Sequence, residues 1–134
     1  MYEANTHTIE TAGTVEVQDI SCADARSTVR SALADGGAQA SRRLLEDALL
    51  VISELAANAI LHAGGITSVS ARLTVDELVL EVSDSSRVTP RSTSSAAGTP
   101  GGHGWTIIHR LCARVDVDVT ESGKTITAVL ALPH

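Results

Sequence analysis

Glu54, Asn58 and His62 recur four residues apart within Val51-Ile52-Ser53-Glu54-Leu55-Ala56-Ala57-Asn58-Ala59-Ile60-Leu61-His62-Ala63, a run that is otherwise almost wholly apolar. Residues three and four apart share a helix face, so the three side chains stack along one line, with Asp47 two turns before Glu54 near the same line. The polar arc covers roughly a quarter of the helix circumference. A carboxylate accepts hydrogen bonds and protons, a carboxamide both donates and accepts, and an imidazole does either, so the line is a reactive stripe. The solvated face of an ordinary amphipathic helix is wide and rich in Lys and Arg; this one is narrow and set among Leu, Ile, Val and Ala. Taken alone it is compatible with a cleft wall or with a thin wet face.

Two further stretches carry groups suited to a ligand. Gly101-Gly102-His103-Gly104 stands directly before a predicted helix, where glycines let backbone N–H groups approach an anion such as phosphate. Its spacing matches neither the Walker pattern nor the dinucleotide-binding fingerprint, and by itself it reads as a flexible hinge before it reads as a phosphate site. Asp84 closes a predicted strand; its carboxylate could accept from the amino group of a purine, or simply form a turn.

These residues need elements to hold them. Residues 1–13 show weak periodicity, and Thr14 to Ile20 alternates as an edge strand would. Ser21 caps a helix from Cys22 to Asp35 that stops at Gly36-Gly37, and Ser41 caps a long helix to Ala63 that stops at Gly64-Gly65. Ser68 to Thr74 and Leu78 to Val82 alternate around a turn at Asp76-Glu77, giving a hairpin that ends at Asp84. Residues 85–103 carry no element signal and form a lid-like loop. A helix from Trp105 to Cys112 follows, then strands from Val115 to Thr120 and from Lys124 to Leu132 around Glu121-Ser122-Gly123. The order predicts a two-layer α/β sandwich, with a mixed, mainly antiparallel sheet and helices on one face. A homodimer could cover the other face.

Composition sets the outer bounds. The chain has 134 residues, 43% of them hydrophobic, and is expected to form a single domain around one core. Phe is absent, and Trp and Tyr occur once each, so the core must be built from aliphatic residues and many Ala in close contact. A net charge of -6 argues against sequence-independent nucleic-acid binding, which needs clustered cations. Cys22 and Cys112 form no metal or redox motif and read as reduced thiols. Neither a leader peptide nor a membrane-spanning run is evident, so a cytoplasmic protein without membrane contact is expected.

Glu54 and Asn58 on a helix, Asp84 after a strand, then Gly102 and Gly104 before a second helix resemble, in that order, three motifs of the histidine-kinase-like ATPase (GHKL) superfamily: its N-box and its first and second glycine boxes. The resemblance spans roughly residues 14–132. The run SELAANAILHA is most similar to the anti-sigma-factor serine kinases of bacterial partner-switching systems, which phosphorylate a serine or threonine on an anti-anti-sigma, STAS-domain protein. The resemblance implies a Bergerat-type fold that binds ATP and Mg2+. Asn58 is then the magnesium ligand, Glu54 the general base, and His62 a phosphate-side or structural neighbour. Asp84 accepts from the adenine amino group, Gly102 and Gly104 donate to the phosphates, and Thr125 supports the adenine pocket. Two positions depart from the pattern. Asp84-Ser85-Ser86 stands where many members have Asp-x-Gly, and Trp105 replaces the usual Leu, read as a plug under the lid in preference to a rest for the nucleotide.

The function so implied is that of an ATP-dependent protein serine/threonine kinase that sequesters a sigma factor or other transcription regulator and phosphorylates a STAS partner. The alternative is a catalytically silent module in which ATP orders the lid and shapes a protein-binding face. A metal site from His62, His103 and His109 is a third reading, with no ligand spacing to recommend it.

Overall fold

The computed structural model describes residues 5–10, 20–35, 41–89 and 104–132. The elements run β1 (Asn5–Glu10), α1 (Cys22–Asp35), α2 (Arg42–His62), β2 (Ser68–Leu73), β3 (Glu77–Asp84), α3 (Gly104–Leu111), β4 (Arg114–Thr120) and β5 (Gly123–Ala131). The strands form one five-stranded sheet in the order β1-β2-β3-β5-β4, every neighbouring pair antiparallel. This is the two-layer α+β sandwich that the element order predicts.

Local chemistry accounts for the helix ends. Ser21 and Asp24 form a reciprocal cap at the start of α1: Asp24 N–H donates to Ser21 Oγ at 3.0 Å, and Ser21 N–H donates to Asp24 Oδ2 at 2.9 Å. The Ser21 N–H, helped by its hydroxyl, holds the Asp24 carboxyl below its ordinary range. Ser41 Oγ accepts from Leu44 N–H at 3.0 Å to open α2. At the other end the Gly65 N–H returns to the Ala59 carbonyl at 3.0 Å, which requires the positive φ values of Gly64 and Gly65.

The core lies between the helices and one face of the sheet. Along α2, Leu44, Ala48, Val51, Ile52, Leu55, Ala56 and Ala59 are buried, the spacing of a single helix face. They share one core with Leu78, Leu80 and Val82 of β3 and Ile126, Ala128 and Leu130 of β5, over which α2 lies, and with Val69, Ala71 and Leu73 of β2, over which α1 lies. Each large aliphatic side chain buried here contributes about 1.5–3 kcal/mol. Ala25, Ala32, Ala48 and Ala56 are fully buried, so small side chains bring the helices close where aromatic residues would have held them apart.

Apart from the paired, buried Val79 and Val129, the other sheet face is mostly polar. Glu81 accepts from Ser70 at 3.5 Å and from Thr127 at 3.4 Å, and Arg114 makes a forked contact with Glu77 at 3.3 Å. Such a surface suits water.

One strand, Asn5–Glu10, falls within the segment whose periodicity is weak, and it forms the sheet edge beside β2. Ile20 makes only an isolated bridge to Ile66, and residues 14–19 lie outside the described residues, as do Gly36-Gly37 and 90–103 of the lid. Asn5–Glu10 is fixed by pairing along the whole of β2, a non-local choice that periodicity alone does not report. His7, on this strand, is 2.6 Å from Asp35 at the end of α1 and ties the edge to the helix layer.

Candidate functional site

The connection from α2 to β2 fixes where the polar stripe lies. Only residues 63–67 separate the two elements; Thr67 N–H donates to the Ser83 carbonyl at 2.8 Å, and Ser68 pairs with Ser83. The last turns of α2 therefore lie at the end of the sheet where β3 finishes and β5 begins. Asn58 is four residues from the helix end, about 6 Å along the axis.

Within the stripe the environments differ. Glu54 and Asn58 are half-buried, whereas His62, on the last turn, is exposed. Neither Glu54 nor Asn58 has a hydrogen-bond partner among the described residues, although both carry polar groups partly withdrawn from water. Asp47 is half-buried two turns earlier and serves a different neighbour: burial first, then the Asp47 charge, pushes the Cys112 thiol up to about 11. That thiol is inert at neutral pH.

The start of α3 rests on Glu54. Gly104 is buried, and a Cβ added there would overlap Glu54 Oε2 and lie 3.0 Å from Cδ. Only glycine lets the helix start come this near the carboxylate. Further along α3, Ile108 enters the core, and Trp105 packs against it half-buried, while residues 90–103 of the lid that it would plug lie outside the described residues. The Trp105 ring meets His109 edge-on, with centroids 4.9 Å apart. Gly102 and His103 lie outside the described residues.

Asp84 sits at the end of β3 in phase with Leu78, Leu80 and Val82, on the helix-facing side of the sheet. Its Oδ1 accepts from Ser86 N–H at 2.8 Å, closing a turn, and from Lys124 Nζ at 3.0 Å. Both side chains of the ion pair are almost wholly buried, 2% exposed for Asp84 and 5% for Lys124. Lys124 is the register partner of Asp84 on β5, in phase with Ile126, Ala128 and Leu130. Gly123 makes this seat possible, because a Cβ at that residue would strike the Asp84 carbonyl oxygen.

The structure thus brings Glu54 and Gly104 into direct contact and sets Asn58 and Asp84 at one end of the helix–sheet layer. Thr125 is not with them. It is the register partner of Ser83, and the two hydroxyls are 2.7 Å apart on the opposite face of the sheet. His62 is at the correct end but faces solvent. Lys124 is the partner of Asp84 that motif matching overlooks, although the sequence signals it: the only lysine of the chain falls in phase with the core residues of an apolar strand. Among the described residues no group of three or more His, Cys, Asp or Glu side chains could hold a metal ion, so the histidine reading finds no support in them. No helix among the described residues is long and apolar enough to cross a membrane.

A family model described as the histidine kinase-like ATPase domain matches residues 11–130. No curated protein is matched by the sequence.

Proposed function

Since the chain belongs to the histidine kinase-like ATPase family, we propose that it is an ATP-dependent serine/threonine kinase of the anti-sigma-factor type, which phosphorylates a STAS-domain partner and sequesters a sigma factor or similar regulator. The observation that supports it is the contact between Glu54 and the start of α3. It sets a half-buried carboxylate against a backbone suited to phosphate binding.

The residues fit the nucleotide and its cation. Asn58 offers a half-buried carboxamide without a partner among the described residues, and its oxygen is the hard donor that Mg2+ accepts. When bound, Mg2+ offsets the charge of the phosphates. Few protein ligands are needed, because this ion keeps waters and phosphate oxygens around it. Gly104 supplies backbone at the phosphates, with Gly102 before it in the lid. Asp84 faces the base, and Glu54 is the general base. As the oxygen–phosphorus bond forms at the partner's hydroxyl, Glu54 takes the hydroxyl proton, the bond to the β-phosphate breaks, and ADP leaves.

The test is incubation with Mg-ATP and a STAS-domain partner, following phosphate transfer to serine or threonine. The wild-type chain transfers; Glu54→Gln binds ATP with little change but loses transfer by about 10²-fold or more. Equal transfer by Glu54→Gln would remove Glu54 from the chemistry. ATP binding that strengthens association with a partner, with no transfer by the wild type, would make the chain a nucleotide-gated clamp instead.

A further inference from the structure

The buried pair at the end of β3 and β5 has hydrogen-bonding capacity left over, and we propose that Lys124 and Asp84 together read the edge of the nucleotide base, with Lys124 determining specificity. The inference rests on the ATP-binding reading above and extends it to a residue outside the three motifs.

An ammonium has three N–H donors. One goes to Asp84 Oδ1 at 3.0 Å and a second, longer, to the Ser86 carbonyl at 3.5 Å; the third has no acceptor among the described residues. Asp84 Oδ2 likewise has no donor among them. A spare acceptor and a spare donor therefore stand side by side on groups only 3.0 Å apart, both less than a tenth exposed.

Stability does not call for this arrangement. Val82 pairs with Ile126 one step inward on the same face, and an apolar pair of similar volume continuing that row would serve the core as well as or better than two desolvated charges. The pair also depends on Gly123, the residue that brings β5 up against the end of β3. Its place is the end of the sheet shared with Asn58, where a bound nucleotide would have its phosphates.

The chemistry selects the base. Adenine presents an exocyclic N6–H donor beside the N1 acceptor. The carboxylate takes the first, and the ammonium donates to the second. A carboxylate alone accepts from many amines, but the ammonium adds the demand for an acceptor next to the amine. Guanine presents the opposite polarity, O6 as acceptor beside N1–H as donor, and is disfavoured at both points.

Calorimetric titration of the full chain with Mg-ATP and with Mg-1-deaza-ATP, in which N1 is replaced by C–H, tests this. The wild type should bind the deaza nucleotide about tenfold or more weakly, because it sets a C–H against the remaining buried N–H of the ammonium and leaves that donor without an acceptor. In Lys124→Met the two nucleotides should bind within about twofold of one another, ATP itself being weakened. Equal affinities in the wild type would overturn the proposal and leave ATP binding intact. A difference that survives Lys124→Met would overturn the role of Lys124. Absence of ATP binding by the wild type would overturn this proposal and the function on which it rests. Should circular dichroism show that Lys124→Met does not fold, the wild-type comparison decides.

Discussion

Replacing Gly104 by alanine should separate the site from the stability of the fold. The three heavy atoms nearest to an added Cβ all belong to the Glu54 side chain, and none is backbone of another element. To restore ordinary contact the carboxylate must retreat by about 1 Å, at a rotamer cost of about 0.5–1.5 kcal/mol. Exchanging glycine for alanine where φ is not positive returns about 0.4–1 kcal/mol by narrowing the freedom of the unfolded chain. The two contributions cancel to within about 1 kcal/mol, so the thermal midpoint should move by no more than about 4 °C. Chemistry is far less tolerant, since a reacting group misplaced by about 1 Å can lose about 10²-fold in rate. The expected outcome for Gly104→Ala is a near-unchanged melting curve with phosphate transfer reduced about 100-fold. Melting followed by circular dichroism, with transfer to a STAS-domain partner measured on the same preparation, checks both halves. A loss of more than about 3 kcal/mol would refute the reasoning that only a flexible side chain stands in the way. Transfer at the wild-type rate would refute the placement of Glu54 at the reacting hydroxyl.

Two further outcomes follow from groups outside that contact. Gly123→Ala should behave oppositely. Its φ of +153° is strained for any other residue, and the added Cβ meets backbone at every near point: the Asp84 carbonyl oxygen, Ser85 Cα at 2.8 Å and Asp84 C at 2.9 Å. A loss of about 3 kcal/mol or more in urea denaturation is expected, and one below about 1 kcal/mol would show that β5 can shift freely. Cys112 sets an alkaline limit. Its thiol is raised to about 11 from an ordinary 9.0, so between those values the folded chain keeps a proton that the unfolded chain releases. Stability should therefore decline as pH rises above 9 towards 11. Denaturation midpoints on either side of pH 9 should show a fall that Cys112→Ala reduces, and an equal fall in both proteins would assign it elsewhere.

What the sequence made legible is what short-range chemistry decides. Ser21, Ser41 and the Gly64-Gly65 break mark helix ends because a cap or a positive φ is a local demand. Alternation located β2 to β5 to within a few residues of their observed ends. Asn5–Glu10 goes unannounced because its own alternation is weak and pairing along the whole of β2 is what holds it as a strand, while the predicted strand Thr14 to Ile20 lies, but for Ile20, outside the described residues. Thr125 enters the site through the resemblance alone, as a strand threonine of the adenine pocket, whereas strand alternation puts it on the sheet face opposite Lys124 and Ile126. His62 follows the helical line of Glu54 and Asn58, but on the last turn little remains to cover it, and it is exposed. The contact between Glu54 and Gly104 joins residues fifty apart, and no periodicity announces it.

The places where the chain departs from its most stable solution are also the places where a ligand would need it to. Asp84 and Lys124 occupy positions whose strand phase belongs to Val82 and Ile126, and each charge forgoes hydration to sit there. Glu54 and Asn58 bring polar groups partly out of water beside Leu55 and Ala59 without a compensating hydrogen bond among the described residues. Each set also carries a glycine at a contact where a Cβ would not fit: Gly104 against Glu54, and Gly123 against Asp84. A sequence selected for the core alone would keep neither the unpaired amide, the buried charges nor the two bare backbones. Their concentration along α2 and at one end of the sheet is what a site for a charged, planar ligand requires, with cation and phosphate contacts from the helix layer and base contacts from the strand ends.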